Sequence, residues 1–136
     1  MARALLGTGL DAIETGPALF EKIRDGAMFA GSPLDIWRLM IPPTEAARVA
    51  AEIAAPLWLG DQAGGLLWLA APTASAGLIR CLAAANDGQA MLLKASDQSR
   101  ETLGLYAPPA PALARLRAGV KSAFDPDGLF NPGRIA

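Results

Sequence analysis

Asp35-Ile36-Trp37-Arg38-Leu39-Met40-Ile41, closed by Pro42-Pro43, and the residues that follow as far as Lys94 decide the fold. The first run is β-branched and aromatic with no Gly or Pro inside it, the composition of a strand. Thr44 then stands where an N-cap belongs, and Ala46, Val49, Ala50 and Ile53 recur at helical spacing, predicting an amphipathic helix that runs to about Ala54. Pro56-Leu57-Trp58-Leu59 and Leu66-Leu67-Trp68-Leu69 flank Gly60-Asp61-Gln62-Ala63-Gly64-Gly65, the make-up of a hairpin with a short turn. Pro72-Thr73-Ala74-Ser75 opens a second helix. Its buried stripe is expected to be Leu78, Cys81, Leu82 and Ala85, and its stop Asn86-Asp87-Gly88. Gln89 to Lys94 reads as a fourth strand.

Strand, helix, strand, strand, helix, strand is the order of an α+β, ferredoxin-like βαββαβ fold, in which one antiparallel sheet carries both helices on one face. The other face is then open, and an apolar open face marks an interface, including that of a homodimer. Around this core, residues 33–95, lie two flanks. Residues 1–32 read as an arm with one short helix that starts at Pro17, continues from Ala18 to Arg24 and ends at Asp25-Gly26. Residues 96–136 hold a proline-rich loop, Ser96 to Pro111, then a helix from Ala112 to about Ala123. In that helix Leu113, Leu116, Val120 and Phe124 are expected to face inward and Arg115, Arg117 and Lys121 outward. The tail is expected to pack around Leu129 and Phe130. All three parts are read as one compact domain.

A chain of 136 residues, 52% hydrophobic, is the right size for one core. Its 12 basic and 13 acidic side chains leave no electrostatic footprint for nucleic acid or for an anionic membrane surface. Histidine is absent, which removes the commonest general base near neutral pH and the commonest transition-metal ligand. One cysteine makes no internal disulfide and fills no zinc site, so no metal is expected and Cys81 reads as a small core residue. No apolar run reaches the roughly 20 residues of a membrane span, and Met1 to Leu6 turns to Gly and Asp too soon for a signal peptide. A cytoplasmic protein is expected. Gly7-Thr8-Gly9 lacks the further glycine of a phosphate-binding turn, and Gly64-Gly65 sits in the hairpin.

The tail carries more specific information. A lysine-bearing helix followed by Phe124-Asp125-Pro126-Asp127-Gly128-Leu129-Phe130-Asn131-Pro132-Gly133-Arg134 resembles the terminal signature of FAD-linked oxidases. That family includes glycolate oxidase flavin subunits and D-lactate dehydrogenases. Leu34-Asp35-Ile36-Trp37-Arg38-Leu39 with Pro42-Pro43, preceded by Ile23-Arg24-Asp25 and Phe29, resembles the smaller FAD-binding subunit of bacterial glycolate oxidase. Together these stretches span most of the chain. The resemblance implies a C-terminal domain that lies over the isoalloxazine ring, with FAD bound mainly by a domain absent from this chain. It also implies oxidation of a 2-hydroxy acid in the full assembly and no catalysis by this chain alone. The implied partners are the FAD-binding domain or a sister flavin subunit, and an iron-sulfur subunit, in a complex peripheral to the inner membrane.

No catalytic residue can be named, but four candidates face substrate or flavin in this reading: Arg38, Lys94, Asn131 and Arg134. Arg38 interrupts an apolar strand, and Lys94 ends the strand expected to pair with it, so the two share one face. Two cations there suit a carboxylate or a reduced anionic flavin. The alternative for Arg38 is an ion pair with a carboxylate such as Asp35 or Asp61. Asn131 and Arg134 belong to the family signature, where Pro132-Gly133 fixes a tight turn. Trp37, Trp58 and Trp68 fall on three strands and read as core or interface. Two other function classes fit the same chain: a free-standing ferredoxin-like module for ligand binding or oligomerisation, and a structural subunit bridging a flavoprotein to an iron-sulfur partner.

Overall fold

The computed structural model describes residues 17–130, which fall into two units, 17–31 and 32–130. In the first, helix α1 spans Pro17–Arg24, with the proline at its first turn where no intrahelical donor is needed. Gly26 follows in the left-handed region, φ 62°, and a single 3-10 turn, Ala27–Phe29, completes the described part.

The second unit is built on four strands: β1 Asp35–Met40, β2 Leu57–Asp61, β3 Leu66–Ala71 and β4 Gln89–Lys94. They form one antiparallel sheet in the order β2-β3-β1-β4. Helix α2, Ala46–Ile53, joins β1 to β2, and helix α3, Ala76–Ala85, joins β3 to β4. The α+β class and the chain order expected from the sequence are both present. Because side chains alternate along a strand, Trp37 and Leu39 of β1, Leu67 and Leu69 of β3, and Ala90 and Leu92 of β4 share one face. Against that face lie Ala46, Val49, Ala50 and Ile53 of α2 and Ala76, Ile79, Leu82 and Ala83 of α3. Trp37, Leu39, Leu67, Leu69, Ile79, Leu92 and Val49 are fully buried, each worth about 1.5–3 kcal/mol of transfer free energy.

Several local readings change. Thr44 does not cap α2: it sits inside a 3-10 turn, Pro43–Glu45, and the helix begins only at Ala46, with no side-chain cap. The inward stripe of α3 is Ala76, Ile79, Leu82 and Ala83, not Leu78, Cys81, Leu82 and Ala85; Leu78 and Cys81 are exposed. Cys81 is therefore a surface thiol rather than a core residue. Ser96 to Pro111 is not a plain loop, because Asp97–Leu103 forms helix α4. The Ser96 hydroxyl accepts from the Ser99 N–H at 3.1 Å, an N-cap, and Gly104 at φ 66° ends the helix. Arg80 Nη2 donates to the carbonyls of Leu103 and Gly104 at 2.6 and 2.9 Å, which satisfies α4's last carbonyls from α3. Beyond Gly104 the chain runs antiparallel to β4, with the Leu92 N–H donating to the Leu105 carbonyl at 2.9 Å and a bridge between Met91 and Tyr106.

Helix α5, Pro111–Phe124, has the expected extent but not the expected burial. None of its residues is buried, and Leu113, Leu116, Val120 and Phe124 are all exposed, whereas Arg117 and Lys121 are half-buried. Leu129 and Phe130 are exposed too, so the tail is organised by its polar groups rather than packed around these side chains. The sheet face away from α2 and α3 is apolar around Arg38, with Leu57, Leu59, Trp68 and Met91 half-buried on it. Ile36, Leu66 and Ala70 on that face are buried, and Met40 is its exposed residue on β1.

Candidate functional site

Arg38 lies at the middle of β1, and the sheet order gives it neighbours on both sides. Trp68 of β3 stands directly opposite on one side and Met91 of β4 on the other. The Arg38 guanidinium carbon is 5.8 Å from the centroid of the Trp68 ring, within cation–π range. Arg38 Nη2 donates to Met91 Sδ at 3.3 Å, and the Tyr106 hydroxyl donates to the same sulfur at 3.4 Å. A row of indole, guanidinium, thioether and phenol thus runs across three strands and the segment beside β4.

Guanidinium groups carry five donors and are expensive to hold without acceptors. A sulfur is a weak acceptor and a ring face is none, so Arg38 keeps most of its hydrogen-bonding capacity. Among the described residues it has no carboxylate partner. The carboxylates weighed as its partners are engaged elsewhere: Asp35 is buried and accepts from Thr73 Oγ1 at 2.8 Å, and Asp61 accepts from the Gln62 N–H at 2.7 Å. Trp68 Nε1, on the same sheet face, is buried without an acceptor among the described residues. What this arrangement can do chemically is bind and orient an anion or an acceptor-rich ring edge.

Lys94 does not complete that row. A register shift between Ile36 and Trp37 sets it opposite Ile36 at the end of β4, while Arg38 faces Met91. Asn131 and Arg134 lie outside the described residues. The turn that leads to them is anchored by Asp125, a buried carboxylate. It accepts from Lys121 Nζ at 2.6 Å, from the Leu129 N–H at 2.7 Å and from the Phe130 N–H at 3.1 Å. The Lys121 contact, reinforced by the two backbone donors, holds the Asp125 carboxyl below its ordinary range against the opposing effect of burial.

Arg80, like Arg38, has no carboxylate partner among the described residues. Its guanidinium carbon lies 5.5 Å from the Trp37 ring centroid, its Nε is buried and unpartnered, and burial lowers its pKa, although an arginine stays charged. Its contacts to the α4 carbonyls make it a brace rather than a site. Trp58, on β2, is exposed.

Beside α5 a groove of about 630 Å³ opens between Leu116, Val120 and Phe124 of the helix, Tyr106, and Phe130 of the tail. Nothing in the sequence pointed to it, since the stripe that lines it has the spacing of a core-facing helix. Among the described residues no group of His, Cys, Asp and Glu is placed to hold a metal ion, and no helix is long and apolar enough to cross a membrane. Comparison of the chain with known proteins finds no matching family model, no matching curated protein and no matching solved structure.

Proposed function

We propose that this chain is the C-terminal, flavin-covering domain of an FAD-linked oxidase subunit of the glycolate oxidase type, acting on a 2-hydroxy acid in a larger flavoprotein assembly. The tail Phe124 to Arg134 suggests the family. One structural observation carries the reading: Arg38 sits on a sheet face between Trp68 and Met91 with no carboxylate among the described residues, its donors left over. A substrate carboxylate or the acceptor-rich edge of a flavin fits such a group, since arginine offers a planar fork to either. Redox chemistry would come from the flavin, and Arg38 would bind and orient the acid beside it. Lys94, Asn131 and Arg134 remain parts of this proposal, Lys94 in a rim position.

The test is Arg38→Met, measured in the complex with the FAD-binding domain and in the isolated chain. Methionine keeps the aliphatic stem and the apolar strand. Loss of a charge-assisted contact, roughly 1.5–3 kcal/mol, should lower kcat/KM by about one to two decades, while the melting temperature of the isolated chain barely moves. Unchanged turnover alongside a clearly lowered melting temperature would refute the assignment and make Arg38 a structural residue.

A further inference from the structure

Helix α5 has the spacing of a packed helix and nothing among the described residues packed on its stripe. Leu113, Leu116, Val120 and Phe124 recur at intervals of three and four, the ridge a helix offers to a partner, yet Phe124 is 84% and Leu116 65% exposed. Phe130, 69% exposed, continues the same wall beyond the helix. Exposed apolar surface of this continuity marks an interaction site.

Charge narrows the occupant. Between Pro111 and Phe124 the helix carries Arg115, Arg117 and Lys121 and no acidic residue. The carboxylate nearest in sequence, Asp125, already holds Lys121 and two backbone amides. Arg117, half-buried in the groove wall, has no hydrogen bond or ion pair among the described residues. A lipid surface suits a convex apolar stripe, but Val120 and Phe124 line a concavity that Tyr106 closes on the other side. From this geometry we infer that the α5 groove seats the apolar face of an amphipathic segment of a partner protein, flanked by acidic side chains that pair with Arg117. No flavin takes part in this contact, so it stands or falls apart from the flavin-covering role.

Two fluorescein-labelled peptides of about 18 residues test it. Both carry leucines at helical spacing, one with glutamates beside them and the other with lysines. The glutamate peptide should bind the full chain at least tenfold more tightly at low salt, and the margin should shrink as salt is raised. Val120→Asp, at a position already half exposed, should abolish binding of both peptides. Arg117→Glu should reverse the preference, with circular dichroism showing both variants folded. Equal affinity for the two peptides, or binding of neither, overturns the inference. So does a dimer in sedimentation that Val120→Asp dissolves, which assigns the groove to a second copy, or retention on phosphatidylserine vesicles without a peptide preference, which assigns it to lipid.

Discussion

Asp125 fixes the last described turn through one ammonium and two backbone donors, and its depressed pKa gives that turn a pH dependence. A carboxyl whose folded pKa lies below its unfolded value contributes stability that is complete above the ordinary aspartate value of about 3.9 and is lost as pH falls through the lower folded value. Protection of the Leu129 and Phe130 amides against hydrogen exchange should therefore hold from neutral pH down to about pH 4 and be lost progressively as pH falls further, through the lower folded value. Asp125→Asn should show reduced protection at neutral pH, and the difference between the two proteins should vanish in strong acid. Protection that is equal in both proteins at pH 7 would contradict the assignment. Gly88 is the second telling residue. A Cβ there would collide with the Met40 carbonyl oxygen and come within 2.7 Å of Ile41 Cγ2, both at the end of the central strand. Backbone on one side leaves no room to yield, so Gly88→Ala should cost about 1–3 kcal/mol, read from urea denaturation. In the sequence Gly88 was visible as the end of a helix; that it must also pass close to β1 was not, because the neighbour lies some fifty positions away in the chain.

Among the elements, those with a distinct polar face or a firm stop were legible. Pro17–Arg24 and Gln89–Lys94 have the extents the sequence suggested, because a proline, glycines and charges punctuate both. The phase of α3 was not legible: in Ala76–Ala85 only Arg80 is charged, so no polar side sets which apolar residues turn inward. Helix α4 was hidden by its polar composition, since Asp97–Leu103 has no buried residue to create a period, although Ser96 and Gly104 marked its ends. At the candidate site, the strand order that brings Arg38 to a central strand followed from the chain order, whereas the register shift that sets Lys94 opposite Ile36, and the return of Tyr106 to β4, are non-local pairings with no sequence period. Ala54, which ends α2, occupies the left-handed region at φ 54° and ψ 42° with a Cβ that disfavours it. Ala54→Gly should relieve that strain and, after the entropy added to the unfolded chain, leave a gain of about 0.5–1 kcal/mol. A melting temperature higher by about 2–4 °C is the expected reading, and a decrease would show that the alanine methyl makes a contact worth more than the strain.

For the molecule as a whole, the proposed role sets an expectation about colour. Among the described residues no glycine-rich turn joins a strand to a helix in the manner that cradles a pyrophosphate. If FAD is held mainly by another domain, the isolated chain mixed with FAD and passed through gel filtration should emerge colourless. Flavin absorbance retained at one equivalent per chain would show that this chain holds the cofactor itself.

The position of β1 has a further consequence for how the chain is made. β2 and β3 are joined by a short turn and can pair as soon as both exist, but β1 pairs with β3, and with β4, whose last residue is Lys94. A growing chain therefore carries one unpaired side of β1, Asp35–Met40, through the synthesis of more than fifty further residues. A nascent polypeptide stalled or clipped before Gln89 would leave one side of β1 as a bare edge, with its row of backbone donors and acceptors offered to any neighbouring strand. Such truncated chains should accumulate as insoluble aggregate, whereas chains extended past Lys94 have the strand that closes that edge.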